Sequence, residues 1–374
     1  MRLMASRSST NASPARPVAA ITPVRGRAPV RDFTASAPAF AVEWHVRPAF
    51  DFLFALSGDS GSTDDVPAAD RTWLAATLKA LPASTKAFLE GEHRRESLVH
   101  MAGFLVDRPD VRRAAEVGPA MRAAGPGPVF RNLFYDPAAN PAEFDRALVG
   151  DPAATAAVLA RVEHGKGKKG GWVAEILADP VGQLATVADV LATWAEAFAP
   201  VEDRVGAIIQ RDFDLRAPDR AALSPIELVE RTTNGIRVEA DPTVQRVVLA
   251  PSYFARPFNY LLGGSGWRLV GYPVSDDALE LDPLSPPSAV LRLHRALGDA
   301  TRLRILKLLA ERDLYGTELA EQLEISKPTV SHHMAQLRAA GLVTAVQAGS
   351  ATYYSLRRER ISEALGDLTQ FLVG

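Results

Sequence analysis

Hydrophobic positions near the C-terminus predict a helix-turn-helix. Two groups of apolar residues repeat at helical spacing: Leu319, Ala320 and Leu323, then Val330, Met334 and Leu337. Between them, Ser326 can cap the second helix, because its hydroxyl can accept an otherwise unpaired backbone N–H. Pro328 suits a first helical turn, and Gly341 marks the helix end. The pattern therefore predicts two short helices joined by a tight turn.

The second of these helices is predicted to carry a polar face. If its apolar residues point inward, helical periodicity turns a set of polar side chains outward, namely Lys327, Thr329, Ser331, His332 and Gln336. All of them can donate or accept hydrogen bonds. Such a face suits a DNA groove, while the adjacent His333 is expected to pack partly beneath the helix.

The flanking patterns extend this motif into a winged helix over residues 289–374. A leading helix is predicted from Leu291, Leu293 and Leu297. The next helix, residues 300–310, is predicted to turn Leu303, Leu306 and Leu309 inward and Arg302 and Arg304 outward. After Gly341, residues 343–346 and 352–356 read as strands around a loop whose glycine can adopt a positive φ, which predicts a β-hairpin.

These stretches resemble the ArsR-type family of bacterial regulators. The resemblance lies in LGDATRLRIL at 297–306, TVSHHM at 329–334 and LRAAGLV at 337–343, in order over about 80 residues. It implies a cytoplasmic, sequence-specific transcriptional regulator, expected to be a repressor, that binds double-stranded operator DNA. It also implies a homodimer that reads an inverted repeat by placing the helix 327–340 in the major groove. Two other classes stay open, a winged helix that serves as a protein–protein interaction module and an enzyme-fused regulator.

The resemblance assigns roles to further residues. Arg302 and Arg338 are candidates for positioning contacts to phosphate, and Gln347 and Ser350 are candidates for DNA contact at the wing tip. Many family members carry Arg near this tip, and the present chain does not. The dimer interface is expected on the leading helix and the C-terminal helix, with these apolar residues: Leu291, Ile361, Leu365 and Leu368.

Upstream of the winged helix, the chain is predicted to form a mostly helical regulatory domain with a small β-sheet, so that the fold class is α+β. Helical patterns cover residues 71–81, 84–89, 95–106, 142–148, 152–161, 172–177, 180–197 and 200–215, and only short helical pieces are expected in 109–141. Strands are predicted near residue 40 and at 235–239, 244–250 and 267–272. The resulting boundaries are a disordered basic tail (1–37), a regulatory domain (38–280), a proline-rich linker (281–288) and the winged helix (289–374).

The regulatory domain carries a second, looser resemblance. The stretch VLAPSYFARP at 248–257, followed by GYP at 271–273, is similar to long actinobacterial ArsR-type regulators with an uncharacterised N-terminal domain. Aromatic residues near it, with one arginine as polar anchor, form a candidate pocket for a small-molecule effector: Tyr253, Phe254, Arg256 and Trp267. Plain core packing is the more ordinary interpretation of these side chains.

Charge is distributed unevenly along the chain. Lysines plus arginines against acids number 25 to 34 in residues 38–288 and 11 to 9 in residues 289–374. The acidic middle segment should repel DNA. The small positive balance of the winged helix means that its DNA affinity must depend on where the cations lie.

The composition and motifs of the chain argue against several other classes of protein. The chain has no cysteine, which excludes disulfides and thiolate metal sites, and no membrane span is expected from its hydrophobic runs. A metal site could be imagined at His93, Glu96 and His100, but a solvated charged face is the favoured interpretation of these residues. Where metal-sensing family members carry Cys or His, residues 312–316 and 360–371 contain neither. We therefore expect no metal, no cofactor and no enzymatic activity, because no catalytic motif is present.

Overall fold

The computed structural model describes residues 40–57, 65–134, 141–164, 170–238, 243–279, 287–348 and 351–373. The predicted basic tail and most of the proline-rich linker lie outside these residues. From Pro38 onward the chain forms one compact unit. We refer to residues 40–279 as the N-terminal part and to residues 287–373 as the winged helix.

Helices dominate the N-terminal part. They are Pro48–Phe54 (α1), Ala68–Ala80 (α2), Ala83–Leu89 (α3), Arg94–His100 (α4), Ala102–Leu105 (α5), Ala114–Ala124 (α6), Pro126–Phe130 (α7), Pro141–Leu148 (α8), Pro152–His164 (α9), Gly170–Ala178 (α10), Pro180–Leu215 (α11), Ala217–Ala222 (α12) and Pro225–Thr232 (α13). Short 3₁₀ turns cover Ala55–Ser57, Arg131–Phe134 and Asp276–Ala278. The predicted mostly helical domain is therefore confirmed.

The long helix α11 corrects one detail of the prediction. Residues 180–197 and 200–215 were expected to form two helices, yet Pro200 lies inside one continuous helix of 36 residues. A proline within a helix costs about 3 kcal/mol, but side chains on both sides of it, such as Trp194, Phe198 and Val205, are fully buried in the same core. That shared burial outweighs the local cost.

By length and composition alone, α11 is also apolar enough to cross a membrane. The hydrophobic runs of the sequence predicted no such segment. Half of its most apolar window is buried inside the structure. Its carboxylates Glu202 and Asp212 are buried as well, and Asp212 accepts hydrogen bonds from Tyr272 (2.9 Å) and from the backbone of Ser275 (2.8 Å). These contacts belong to a core helix.

A four-stranded sheet supports the helices of the N-terminal part. Its strands are Ala41–Trp44 (β1), Val244–Ser252 (β3), Gly266–Pro273 (β5) and Tyr260–Gly264 (β4), in the order β1-β3-β5-β4. β1, β3 and β5 run parallel, and β4 is antiparallel to β5. Alternate residues of β3 enter two different clusters, with Val248 facing the helical core and Val247 facing a smaller cluster around α13. Burial of both faces explains the nearly continuous apolar sequence of this strand.

Asp51 joins α1 to this sheet. The carboxylate is fully buried and accepts hydrogen bonds from the Ser252 hydroxyl and from the backbone N–H groups of Tyr253 (2.8 Å) and Phe254 (3.0 Å). Burial raises the pKa of Asp51 to about 6, while these donors stabilise its charged form. These hydrogen bonds hold α1 against the sheet, and its aromatic residues Phe50, Phe52 and Phe54 are buried.

The winged helix follows the predicted order. Its elements are Ser288–Leu297 (α14), Ala300–Leu309 (α15), Leu314–Tyr315 (β6), Gly316–Leu323 (α16), Lys327–Ala339 (α17), Val343–Ala348 (β7), Ala351–Leu356 (β8) and Arg358–Val373 (α18). β7 and β8 form the predicted antiparallel hairpin, and the short strand β6 pairs with β8.

One strand crosses the predicted domain boundary. Ile236–Val238 (β2) was expected in the sheet of the regulatory domain, but it pairs in parallel with β7 of the winged helix. The second sheet therefore has the order β2-β7-β8-β6. The N-terminal part therefore contributes a strand to the winged helix. The predicted domain boundary at 281–288 did not include this pairing.

Candidate nucleic-acid interface

Neighbouring residues set the start of α17 and the turn that follows its end. The hydroxyl of Ser326 accepts the backbone N–H of Thr329 at 3.2 Å, and Pro328 lies in the first turn. The helix ends at Ala339, and Gly341 then adopts a φ of +73°, a value that glycine reaches without steric cost. Ser326, Pro328 and Gly341 therefore have the positions that the sequence predicted.

The outward face of α17 has the predicted composition. Val330, Met334 and Leu337 are buried in the core of the winged helix. Polar residues on the other side are exposed at Lys327, Thr329, Ser331 and His332, whereas Gln336 is half-buried. The exposed groups cluster in the N-terminal half of the helix, which is the end whose N–H groups and dipole favour an anion.

The two adjacent histidines have different environments. His332 is exposed, whereas the His333 side chain is only 13% exposed and lies beneath the helix, as expected. Burial lowers the pKa of His333, although the Asp299 carboxylate 4.0 Å away partly opposes this effect. A neutral His333 acts as packing, so His332 is the histidine available to DNA.

Arg302, which was predicted to contact phosphate, is engaged within the protein. Its guanidinium donates to the backbone carbonyls of Ala296 (2.8 Å) and Arg295 at the end of α14. The helix is also rotated relative to the prediction, because Leu303 is 47% exposed while Ile305 is buried in its place. Arg302 therefore joins α15 to α14, and Arg304 is the arginine that points to solvent.

Arg338 is the second arginine predicted to contact phosphate. It lies near the end of α17, beside Tyr354 of β8, and burial lowers the pKa of its guanidinium. The side chain is half-buried, and its phosphate contact stays a prediction.

The remaining predicted site residues belong to the wing tip and to the expected dimer interface. The side chain of Gln347 and all of Ser350 lie outside the described residues, as does the side chain of Leu365. Leu291 and Leu368 are half-buried, and Ile361 packs partly against the core of the winged helix. Exposed apolar side chains remain at Leu303, Leu372 (67% exposed) and Val373 (80% exposed). The dimer interface stays a prediction.

The four residues of the candidate ligand pocket are buried, which favours the alternative of core packing. Tyr253, Phe254, Arg256 and Trp267 are each at most 4% exposed. Arg256 donates to the backbone carbonyls of Asp65 (2.8 Å) and Val274 (2.7 Å) and to the Asp276 carboxylate. The guanidinium is committed to these protein acceptors, so it cannot anchor a ligand.

The three residues weighed as a metal site form local pairs. His93 Nδ1 lies 3.1 Å from the Glu96 carboxylate, and His100 Nδ1 lies 2.8 Å from the backbone carbonyl of Glu96. Across the part of the chain that the structure describes, no group of three or more His, Cys, Asp and Glu side chains could hold a metal ion.

The sequence did not predict the strap, residues 233–238, which links the N-terminal part to the winged helix. Its strand β2 aligns Ile236 with Ala345 of β7, and the Ala345 N–H donates to the Gly235 carbonyl at 2.9 Å. Gly235 has a φ of +109°, and a Cβ there would lie 2.9 Å from the Val343 carbonyl oxygen. Only glycine permits this approach of the two backbones.

Asn234 of the strap caps the end of α17. Its Nδ2 lies 3.3 Å from the carbonyl of Ala339 and 3.5 Å from that of Arg338, and its Oδ1 accepts from Arg357 at 3.2 Å. The last carbonyls of a helix have no partner within the helix, so such donors stabilise its end. A residue about 100 positions upstream therefore stabilises the end of α17.

The family model described as "Bacterial regulatory protein, arsR family" matches residues 299–345. The HTH-type transcriptional regulator CmtR of Mycobacterium tuberculosis is 41% identical over 86 residues, which are 23% of this chain and 73% of CmtR. The transcriptional repressor SdpR of Bacillus subtilis is 33% identical over 80 residues, 21% of this chain and 89% of SdpR. Among solved structures, HlyU from Vibrio cholerae is 28% identical, covers 23% of this chain and 95% of its own, and has a TM-score of 0.19.

The contacts of Asn234 generate a stability prediction. Asn234 has a φ of +54°, so the Asn234→Gly variant keeps the backbone conformation and removes only the side chain. We expect this variant to lower the free energy of unfolding by about 1 kcal/mol, measured by urea denaturation. Asn234→Ala should cost about 1 kcal/mol more, because alanine is strained at positive φ. An Asn234→Gly protein as stable as the parent would show that the cap contributes nothing.

Proposed function

The chain belongs to the ArsR family of bacterial regulatory proteins, and from this premise we propose that it is a cytoplasmic, homodimeric repressor that reads an inverted repeat. Regulators of this family bind DNA. The repressor role is supported by the likeness to SdpR, a transcriptional repressor. Neither CmtR nor SdpR covers more than 23% of this chain, so the role of the N-terminal part belongs to the proposal.

The observation that carries this proposal is the exposed polar face at the start of α17. Lys327, Thr329, Ser331 and His332 project from the helix end whose backbone N–H groups attract phosphate. In helix-turn-helix proteins, this end of the second helix contacts base edges in the major groove. We assign base contacts to Ser331, His332 and Gln336, and a phosphate contact to Lys327.

The N-terminal part acts in this proposal as a regulatory domain without enzymatic activity. Its strap touches both α17, the proposed recognition helix, through Asn234, and the hairpin β7–β8, the wing, through β2. A change in the N-terminal part that moved the strap would alter the geometry of α17 relative to β7. Such a change can shift DNA binding only by as much as it favours one arrangement over another.

The proposed dimer generates a prediction about the operator. Two copies of α17 related by a twofold axis should contact half-sites whose centres lie roughly 34–36 Å apart, or a multiple of that distance. Sedimentation of the purified protein with a selected operator duplex should give two chains per duplex. A complex of one chain on a single half-site would contradict the homodimer and the inverted repeat together.

The assigned base contacts generate a second prediction. Ser331→Ala and Gln336→Ala should each reduce discrimination between operator and random DNA by about 1–3 kcal/mol, because each removes a group that can read a base edge. Fluorescence anisotropy with both duplexes measures the difference.

The matched control for these variants is Thr186→Ala. It removes an exposed hydroxyl that donates to the Gly182 carbonyl within α11, away from the winged helix. This variant should bind both duplexes like the parent protein. If Ser331→Ala and Gln336→Ala weakened operator and random DNA equally, the assigned face would not read sequence.

A further inference from the structure

A cavity of about 510 Å³ lies where the N-terminal part meets the winged helix. Its walls come from α13 and the strap on one side and from α14, α17 and α18 on the other, including Arg231, Asn234, Arg292, Ala339, Arg360 and Phe371. The volume falls in the range of small-molecule sites. A molecule in this cavity would touch both the strap and the last turn of the recognition helix.

Cationic side chains give the cavity its chemical character. The Arg231 side chain is 67% exposed, and the carboxylate of Asp219 lies 3.9 Å from its Nε. A guanidinium has five N–H donors, more than this single long contact uses. Arg360 adds a second guanidinium, which pairs at 3.2 Å with Glu363, an exposed residue of its own helix. A third arginine in the lining, Arg216, is committed to the buried carboxylate of Asp212.

Two buried polar atoms in the lining residues strengthen the case for a ligand. Among the described residues, the Nε of Arg292 and the Oγ1 of Thr232 have no hydrogen-bond partner. Thr232 is only 3% exposed. Buried donors in folded proteins are almost always paired. Both atoms belong to residues that line the cavity, so the polar groups of its wall are not all satisfied within the protein.

The cavity also has an apolar portion. Val290 and Phe371 of the winged helix and Pro257 and Val274 of the N-terminal part contribute to its lining. This combination selects a molecule with an anionic head and an apolar body. Asp277, an exposed acid in the same lining, would disfavour a second negative charge on the ligand.

We infer that this cavity is the effector site, and that it binds a small organic anion with an apolar body whose occupancy alters operator affinity. The inference rests on the proposed function, because it assigns the regulatory input of the same DNA-binding protein. The ligand would contact Asn234 and Ala339, the two sides of the cap on α17. Its binding energy would therefore depend directly on how the strap sits against the recognition helix.

The test uses the full chain and anilinonaphthalene sulfonate, an aromatic anion whose fluorescence reports its binding. We expect the double variant Arg231→Gln/Arg360→Gln to weaken binding of this probe at least about tenfold. Phenylnaphthylamine, a probe with the same rings and no sulfonate, should bind parent and variant within about twofold. An unchanged sulfonate affinity in the double variant would overturn the site.

Two control proteins separate this result from misfolding and from unspecific binding. Arg231→Lys/Arg360→Lys keeps both charges and should recover most of the affinity. Lys79→Gln/Lys86→Gln neutralises another cavity of about 570 Å³, formed by α2, α3 and α4, and should leave the charge-dependent binding unchanged. A loss of probe binding in this second protein would place the site there and overturn the assignment.

The effect of the bound probe on DNA binding is measured separately, as operator affinity. Saturating sulfonate probe should change operator affinity at least about fivefold in the parent protein and not in the Gln double variant. Charge-dependent probe binding with unchanged operator affinity would overturn the effector role. Charge-dependent probe binding by a chain that binds no DNA would support the ligand site and overturn the proposed function, so the two failures are distinguishable.

Discussion

The pairing of the strap with the winged helix is the constraint on which the rest of this structure depends. Side-chain contacts hold both ends of the helix α17. Here the start of α17 is held locally by Ser326, whereas its end is held by Asn234 from the N-terminal part. The parallel pairing of β2 with β7 fixes the same strap along the wing. The helix α17 is therefore stabilised by two parts of the chain that are far apart in sequence.

This arrangement explains how an acidic N-terminal part can serve a DNA-binding protein. Its charge is unsuited to contact with DNA, and its contact with the winged helix is made at the end of α17 opposite to the exposed polar face. Through the Asn234 cap, the N-terminal part therefore holds α17 from the end that lies away from the exposed polar face. Further contacts join the two parts, since Asp276 accepts the Ala289 N–H at 2.9 Å at the start of α14 and Arg292 pairs with Asp65.

Sequence patterns predicted those features that depend on neighbouring residues. The helices of the winged helix, the Ser326 cap and the exposed face of α17 all follow from periodicity and capping rules over a few turns. Arg302 was placed wrongly because Leu303 and Ile305 offer two apolar phases for α15, and only the packing against α14 selects one. Pro200 was taken as a helix break because a local cost is visible in sequence, while the core that offsets it is not.

The strap shows the limit of such reasoning most clearly. Asn234-Gly235 reads as a turn signal, and both residues do adopt positive φ. Nothing in the local pattern shows that this turn meets a helix end about 100 residues later or that β2 leaves the first sheet for the second. Long-range pairing of this kind depends on the whole fold. The resemblance to a family could not supply it either, because the matched residues, 299–345, exclude the strap.

The most direct measurement of the central claim is the operator affinity of the Gly235→Val variant of the full chain. Valine cannot adopt the φ of +109°, and its Cβ would meet the Val343 carbonyl, so β2 should lose its place beside β7. We predict that operator affinity falls at least about tenfold, or about 1.4 kcal/mol, while affinity for random DNA and helical content by circular dichroism stay close to those of the parent. A variant that binds the operator as tightly as the parent would show that the recognition helix does not depend on the strap.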